Sequence, residues 1–188
     1  MKITDVHVEH YRWPKAKPIA NGKHTYTHND LNLLVIDTDE GITGYGCSWA
    51  IEFAESMGKA IIGMDPLCNE QIFAKTYVPK FIGRRGTSAK TVSAIDMAVW
   101  DIKAKAANLP LYKLLGGARD RVDCYVAGGY YAPGKGIKEL QKEMEEYLSW
   151  GIHAVKMKVG GMSMREDAAR VLSLIHISEP TRLDVISY

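Results

Sequence analysis

The stretch AIDMAVWDIKAKAANLPLYKLLGG, Ala94 to Gly117, decides the fold of this chain. It continues a helix that we predict over Thr87–Ala107, because apolar residues recur there at helical spacing and small residues allow close packing. The apolar positions are Val92, Ile95, Val99 and Ile102. Asn108 and Pro110 follow, so the helix is predicted to stop there. Alone, the stretch predicts a packed helix and a turn, and it assigns no function.

The residues before this helix predict a small antiparallel meander. Apolar and polar residues alternate over Lys2–Trp13 and again over Leu31–Tyr45, as they do in half-buried strands. Gly41 lies in the turn sequence DTDEG and suits a positive φ, so the second and third strands should form a hairpin. Two more helices are predicted before the long one, over Ala50–Ile62 and over Pro66–Tyr77, the latter with Asp65 as its N-cap.

After the long helix, strands and helices alternate. Short apolar strands over Arg121–Ala127 and Ile152–Val159 flank a helix over Ile137–Trp150, and another helix begins near Arg165. This spacing is typical of βαβ units in a parallel sheet. The sequence therefore predicts an antiparallel α+β front followed by the start of a βα barrel.

Two lysines share one face of the second of these strands. Side chains alternate along VKMKV, Val155 to Val159, so Lys156 and Lys158 point one way and the apolar residues the other. Two ammonium groups close together at a partly dehydrated strand end favour loss of a proton, which suits a general base. Barrel enzymes keep their chemistry at this end. The alternative is an edge strand with two solvated lysines; the glycines at 160 and 161 disfavour it, because they let a ligand approach the backbone.

The same stretch, Ala94 to Gly117, resembles the signature of the mandelate racemase and muconate lactonizing enzyme family of the enolase superfamily. The matching positions are Ile95, Asp96, Ala98, Asp101, Ala104, Lys105, Pro110, Leu111, Leu114, Leu115 and Gly116. With the meander and the two-lysine strand, the resemblance covers essentially residues 1–171. It implies an α+β capping domain over residues 1–120 and the start of a TIM-like (β/α) barrel, about two strands, over 121–171. Asp96 and Asp101 are interpreted as structural residues.

The resemblance also implies an activity. Enzymes of this family remove the proton α to a carboxylate and use Mg²⁺. The second lysine of the pair, Lys158, is thereby implied as the catalytic base, and Lys156 as the neighbour that tunes it and faces the substrate carboxylate. The carboxylates of this chain do not match the family's metal ligands, which we expect to lie beyond it, so no metal ligand is assigned.

Two capping-domain loops are implied to contact the substrate. They correspond to Pro18–Asn29 and Cys47–Glu52, and the predicted substrate-binding residues are Lys23, His24, Tyr26 and Trp49. A loop rich in lysine, histidine and tyrosine suits a polyhydroxylated acid. We therefore predict a sugar-acid dehydratase. A racemase or epimerase of the same family is one alternative, and a barrel enzyme whose lysine forms a Schiff base without a metal is another.

Composition limits the partners. The chain is 46% hydrophobic and 24% charged, as in soluble globular proteins, and its net charge of +2 comes with no block of one sign. We therefore expect small molecules as partners, with no nucleic acid and no membrane; the family resemblance implies a small carboxylate substrate and a homo-oligomeric parent enzyme. No apolar run is long enough to span a bilayer. Cys47, Cys68 and Cys124 are far apart and form no metal pattern, so we expect buried or half-buried thiols in a cytoplasmic protein.

The last residues, LSLIHISEPTRLDVISY from Leu172 to Tyr188, resemble a translated sequencing adapter. Leu172–Arg182 can be encoded, codon after codon, by the transposase adapter of sequencing libraries, and Leu183–Tyr188 fits the index region that follows it. We exclude residues 172–188 from fold prediction as non-native. The native protein is then expected to diverge after Val171, and this chain by itself is expected to be inactive.

Overall fold

The computed structural model describes residues 1–48, 53–78, 86–152, 154–175 and 177. Their contacts divide the chain into two compact units. The first unit is Met1–Arg12 with Asp30–Asp120, and the second unit is Trp13–Asn29 with Arg121–Tyr188. Within the described residues, no helix is long and apolar enough to cross a bilayer.

The N-terminal sheet has three strands in the order β1-β2-β3. These are β1 (Ile3–Ala20), β2 (Thr25–Thr38) and β3 (Thr43–Cys47). The predicted hairpin is confirmed, because β2 and β3 are antiparallel and Gly41 has a φ of 74° in the turn between them. The first two strands are longer than the alternation of the sequence predicted.

Helices cover the sheet of the first unit. They are α1 (Ala54–Lys59), α2 (Asn69–Thr76), α3 (Thr87–Ala106) and the single turn α4 (Leu111–Leu114). The long helix is confirmed, and Asn108 beyond its end has a φ of 50°. The predicted N-cap at Asp65 is wrong. Its carboxylate accepts the backbone N–H of Leu67 at 2.9 Å, which makes a separate turn before α2 begins.

The core of the first unit lies between α3 and the sheet. Its largest fully buried side chains include Ile3, Leu34, Ile36, Ile61, Ile72, Ile95, Val99 and Ile102. Two signature residues of α3 bind β3 directly. Asp101 accepts the backbone N–H of Tyr45 at 3.0 Å, and Lys105 donates to the carbonyl of Thr43 at 2.7 Å. Asp101 therefore has a structural role, as interpreted from the sequence.

The three cysteines are free and exposed, so the expectation of buried or half-buried thiols is wrong. For Cys47 the reason is the alternation of β3. Gly44 and Gly46 face the core, which places Tyr45 and Cys47 on the outer side of the strand.

The second unit contains a βαβ connection. Its elements are β4 (Val126–Ala127), α5 (Ile137–Ser149), β5 (Val155–Lys156) and α6 (Met164–Leu172). β4 and β5 are parallel, with Val126 opposite Val155 and Ala127 opposite Lys156. Both strands are shorter than predicted. The fold class is confirmed: an α+β front precedes strand, helix, strand and helix in parallel arrangement.

The apolar face of the two-lysine strand packs as predicted. The cluster of the second unit comprises Leu140, Met144, Met157 and Leu174, with Tyr147, Val155, Val159, Val171 and Ile177 packed against it. Leu174 and Ile177 belong to the stretch that we predict to be non-native. They continue the apolar face of α6 and therefore reach the same cluster whatever their origin.

Candidate functional site

Lys158 lies two residues after β5, where both parallel strands end. Its Nζ is 5.2 Å from the ring centroid of Tyr130, and an aromatic face stabilises an ammonium group at this distance. Tyr130 in turn meets Tyr26 edge to face, with ring centroids 6.4 Å apart. In the second unit, Tyr130 thus lies between the predicted base and one predicted substrate-binding residue, and contacts both. Lys156 lies in β5 and is half-buried.

The predicted loop over Pro18–Asn29 is mostly strand. Only residues 21–24 lie outside β1 and β2, and the turn is held by Asn21. The side-chain oxygen of Asn21, Oδ1, accepts the backbone N–H of Lys23 at 2.8 Å and that of His24 at 2.7 Å, while the side-chain Nδ2 donates to the Tyr26 hydroxyl at 2.9 Å. The prediction of a long loop is therefore wrong, because one asparagine closes a tight turn. Lys23 and His24 lie in that turn and are exposed.

This turn contacts the segments that follow β4 and β5. Ala20 and Tyr131 exchange two backbone hydrogen bonds, of 2.7 and 2.9 Å. A Cβ on Gly22 would lie 2.7 Å from the carbonyl oxygen of Gly160, and one on Gly161 would lie 2.5 Å from the Tyr131 ring. Packing against the Tyr131 ring therefore explains Gly161, and a positive φ of 87° explains Gly160; the sequence suggested both glycines for approach of a ligand.

A buried ion pair of α6, between Asp167 and Arg170, contacts the segments that follow the two strands. Asp167 accepts hydrogen bonds from the Tyr131 hydroxyl at 2.6 Å, the Gly160 N–H at 2.6 Å and Arg170 at 3.0 Å. Burial would raise the pKa of the Asp167 carboxyl, but these hydrogen bonds outweigh it and hold the pKa below its ordinary value. Arg170 also lies over the Tyr131 ring, 4.1 Å from its centroid.

A second carboxylate, Glu143 of α5, binds the turn that follows β4. It accepts hydrogen bonds from the Gly129 N–H at 3.2 Å and the Tyr147 hydroxyl at 2.7 Å, and it forms an ion pair with Lys135. Lys135 also donates to the carbonyl of Tyr130 at 2.8 Å. Asp167 and Glu143 are thus both occupied by protein donors. They do not fit a Mg²⁺ site, which needs free oxygen ligands.

The phenol of Tyr147 predicts a pH dependence of stability. Burial, and then its hydrogen bond to Glu143, raise the pKa of Tyr147. An unfolded tyrosine ionises near pH ~10, so the stability gained from the protonated phenol is present below that pH and is lost above it. We expect Tyr147→Phe to reduce the alkaline loss of stability, measured as urea midpoints between about pH 8 and 11. Tyr125→Phe, at a residue that is 57% exposed, is the control; an unchanged alkaline slope in Tyr147→Phe would contradict the prediction.

The predicted second loop is partly outside the described residues. Trp49 falls there with residues 50–52, whereas Cys47 and Ser48 line a pocket of about 540 Å³ in the first unit. Asp30, Leu31 and Asn32 complete its lining. Elsewhere on this sheet, Asp5, His7 and Asp37 place ligand atoms within 4.8 Å of one another. His7 and Asp5 are already hydrogen-bonded at 2.8 Å, and we assign no metal there.

Sequence reasoning missed four residues that lie in or contact the segments following the two strands. They are Tyr130, Glu143, Asp167 and Arg170. A signal existed for the first, because Tyr130 follows the first predicted barrel strand, at the end where barrels keep their chemistry. The other three lie on helices, and helical spacing alone does not show which charged side chain reaches a strand end.

Residues 3–116 match the N-terminal domain of the mandelate racemase / muconate lactonizing enzyme family. Among characterised proteins, the chain is 34% identical over 148 residues to arabinonate dehydratase of Saccharolobus solfataricus, covering 74% of this chain and 40% of the relative. It is 30% identical over 178 residues to L-talarate/galactarate dehydratase of Salmonella typhimurium, covering 86% and 44%. The chain thus spans less than half the length of these two relatives.

Solved structures agree with the fold. A mandelate racemase/muconate lactonizing enzyme-like protein from Rubrobacter xylanophilus superposes with a TM-score of 0.83 at 26% identity, over 97% of this chain and 52% of that protein. The Salmonella talarate/galactarate dehydratase, crystallised with Mg and L-lyxarohydroxamate, has a TM-score of 0.76 at 28% identity. That match covers 92% of this chain and 48% of the dehydratase.

Proposed function

This chain belongs to the mandelate racemase / muconate lactonizing enzyme family, and we propose that it is the N-terminal part of an enzyme that dehydrates a sugar acid. The observation that carries the proposal is that Lys158 lies over the ring of Tyr130, which in turn meets Tyr26, beyond the ends of two parallel strands. The two characterised relatives described above, both named as dehydratases of sugar acids, support the substrate class.

In the proposed reaction, Lys158 is the base. Its neutral amine accepts the proton α to the substrate carboxylate, and the Tyr130 ring face favours the ammonium group that results. The electron pair left on the α-carbon forms a double bond to the β-carbon as the β-hydroxyl leaves, taking a proton from solvent to become water. The resulting enol gains a proton at the β-carbon and loses its hydroxyl proton, which gives the 2-keto-3-deoxy acid. Lys156, two residues before Lys158 at the end of β5, adds a positive charge that attracts the substrate carboxylate.

The remaining polar side chains are proposed to select the substrate. Lys23 and His24 lie in the turn between β1 and β2, and Tyr26 follows it. Together they offer an ammonium, an imidazole and a hydroxyl to the hydroxyl groups of a sugar acid. Trp49 is proposed as a further contact from the second loop.

We also propose Mg²⁺ as the cofactor of the complete enzyme, by which we mean the enzyme of which this chain is the N-terminal part. The dehydratase crystallised with Mg supports it. Near Lys158 the carboxylates of this chain are occupied by protein donors, so none of them is assigned to the metal and no step above depends on it. A homo-oligomeric, cytoplasmic enzyme acting on a small carboxylate completes the proposal.

The test is an assay of the complete enzyme with Mg²⁺ on a panel of sugar acids. We expect formation of a 2-keto-3-deoxy acid, detected as its semicarbazone, and loss of activity with a chelator that returns when Mg²⁺ is added. Exchange of the α-proton without loss of water would identify a racemase or epimerase instead. A lysine adduct trapped by borohydride, formed without any metal, would contradict the proposal in favour of a Schiff-base enzyme.

A further inference from the structure

The ion pair of α6 is placed where the two parallel strands separate. The ladder between β4 and β5 ends with Ala127 opposite Lys156, followed by one backbone hydrogen bond of 2.9 Å from the Gly128 N–H to the Lys156 carbonyl. Gly129 then has a φ of 61°, which turns its strand away. Among the described residues, no backbone hydrogen bond joins the two segments beyond this point.

Arg170 bridges this gap. Its Nη2 donates to the carbonyl of Gly129 at 2.8 Å, and its Nη1 donates to the carbonyl of Lys158 at 3.1 Å. One guanidinium therefore binds the backbone after β4 and the backbone after β5. A planar group with several fixed donors can do this, whereas the compact ammonium of a lysine lacks the fork geometry.

Asp167 keeps the guanidinium in place. The pair is spaced i,i+3 on α6. The Asp167 side chain is 11% exposed and that of Arg170 is 9% exposed. Each of their hydrogen-bond partners named above is a protein group. Burying two charges costs free energy unless hydrogen bonds compensate for the lost water. Here Tyr131, Gly160, Gly129 and Lys158 supply that compensation. The pair is thus directed at the backbone of the strand ends and not at solvent.

We propose that Arg170, held by Asp167, is a positioning residue for Lys158: by tying the Lys158 carbonyl to Gly129, it sets the distance between the lysine amine and the groups after β4. This inference rests on the proposed function, in which Lys158 is the base. Arg170 contacts the backbone of Lys158 and not its amine, so it acts on the geometry of proton transfer and not on its chemistry.

The test compares variants of the complete enzyme, assayed for exchange of the substrate α-proton in deuterated solvent. We expect Arg170→Ala to lower kcat about 100-fold, because a displacement of ~1 Å at a reacting group has an effect of this size, while KM changes less than about 3-fold. Added guanidinium should restore part of the rate, since it can occupy the same space between the two carbonyls. Asp167→Asn should show a smaller decrease, because an amide retains one acceptor oxygen.

Two controls separate the possible outcomes. Arg165→Ala removes an exposed arginine of the same helix and should behave as the unmodified enzyme. Lys158→Ala should have no exchange activity that guanidinium can restore. If Lys158→Ala abolishes exchange but Arg170→Ala has a normal kcat, the positioning role is wrong and the proposed function stands. If Lys158→Ala retains exchange, the proposed function itself fails. Loss of folding in all Arg170 and Asp167 variants, or a decrease that guanidinium does not relieve, would assign the pair a structural role and overturn the inference.

Discussion

Lys158→Ala is expected to abolish exchange of the substrate α-proton with deuterated solvent in the complete enzyme. Removing the amine removes the proton acceptor, and general-base catalysis contributes about 10²- to 10⁴-fold to a rate. The protein should still fold, because this segment is anchored in the cluster of the second unit by its own apolar residues, Val155, Met157 and Val159. The substitution leaves those contacts in place. The measurement is NMR exchange on the panel of sugar acids, with circular dichroism as the check on folding.

Two further substitutions sharpen this result. Lys158→Arg should fail as completely as alanine, because a guanidinium stays protonated near neutral pH and cannot accept a proton. Lys156→Ala should be milder and raise KM more than it lowers kcat, since its proposed part is to attract the carboxylate. Retained exchange in both Lys158 variants, with every substrate that the enzyme accepts, would refute the assignment of the base.

Gly46→Ala is expected to destabilise the first unit by about 3 kcal/mol or more, a severe case of overpacking. A Cβ at this position would lie 1.9 Å from the carbonyl oxygen of Ala94 in α3. Neither group can move alone, because the oxygen belongs to the helix backbone and Gly46 is paired with Leu34 in the sheet. Gly44 faces the same helix, with its Cβ position 2.2 Å from the Ala98 carbonyl oxygen, and Gly44→Ala should have a similar effect.

The measurement is the thermal midpoint and soluble yield of the complete enzyme. Gly136→Ala is the matched control, because its Cβ would lie 3.2 Å from a carboxylate oxygen of Glu139, the end of a flexible side chain. Its φ of −91° also suits alanine. A Gly46→Ala protein that melts at the same temperature as the control would show that β3 and α3 are not packed as closely as described.

Much of the fold is determined by local pattern. The period of the apolar residues in α3 predicts the helix, the alternation of VKMKV predicts which side faces the core, and Gly41 predicts its turn. These features depend on residues a few positions apart, so the sequence contains the information directly. Alternation and the end of a parallel strand likewise mark Lys156 and Lys158 together as candidates, whereas the choice of Lys158 as the base came from the family resemblance.

What surrounds Lys158 was decided only by the tertiary structure. Tyr26 and Tyr130 are 104 positions apart in the printed sequence, yet their rings are in contact. Arg170 joins the carbonyls of Gly129 and Lys158, and nothing in the period of α6 shows that its buried face binds two strand ends. The length of β1 and β2 was likewise hidden, because one Asn21 side chain closes the turn between them. Such contacts follow from where distant segments meet in space, and a pattern of near neighbours contains no record of that.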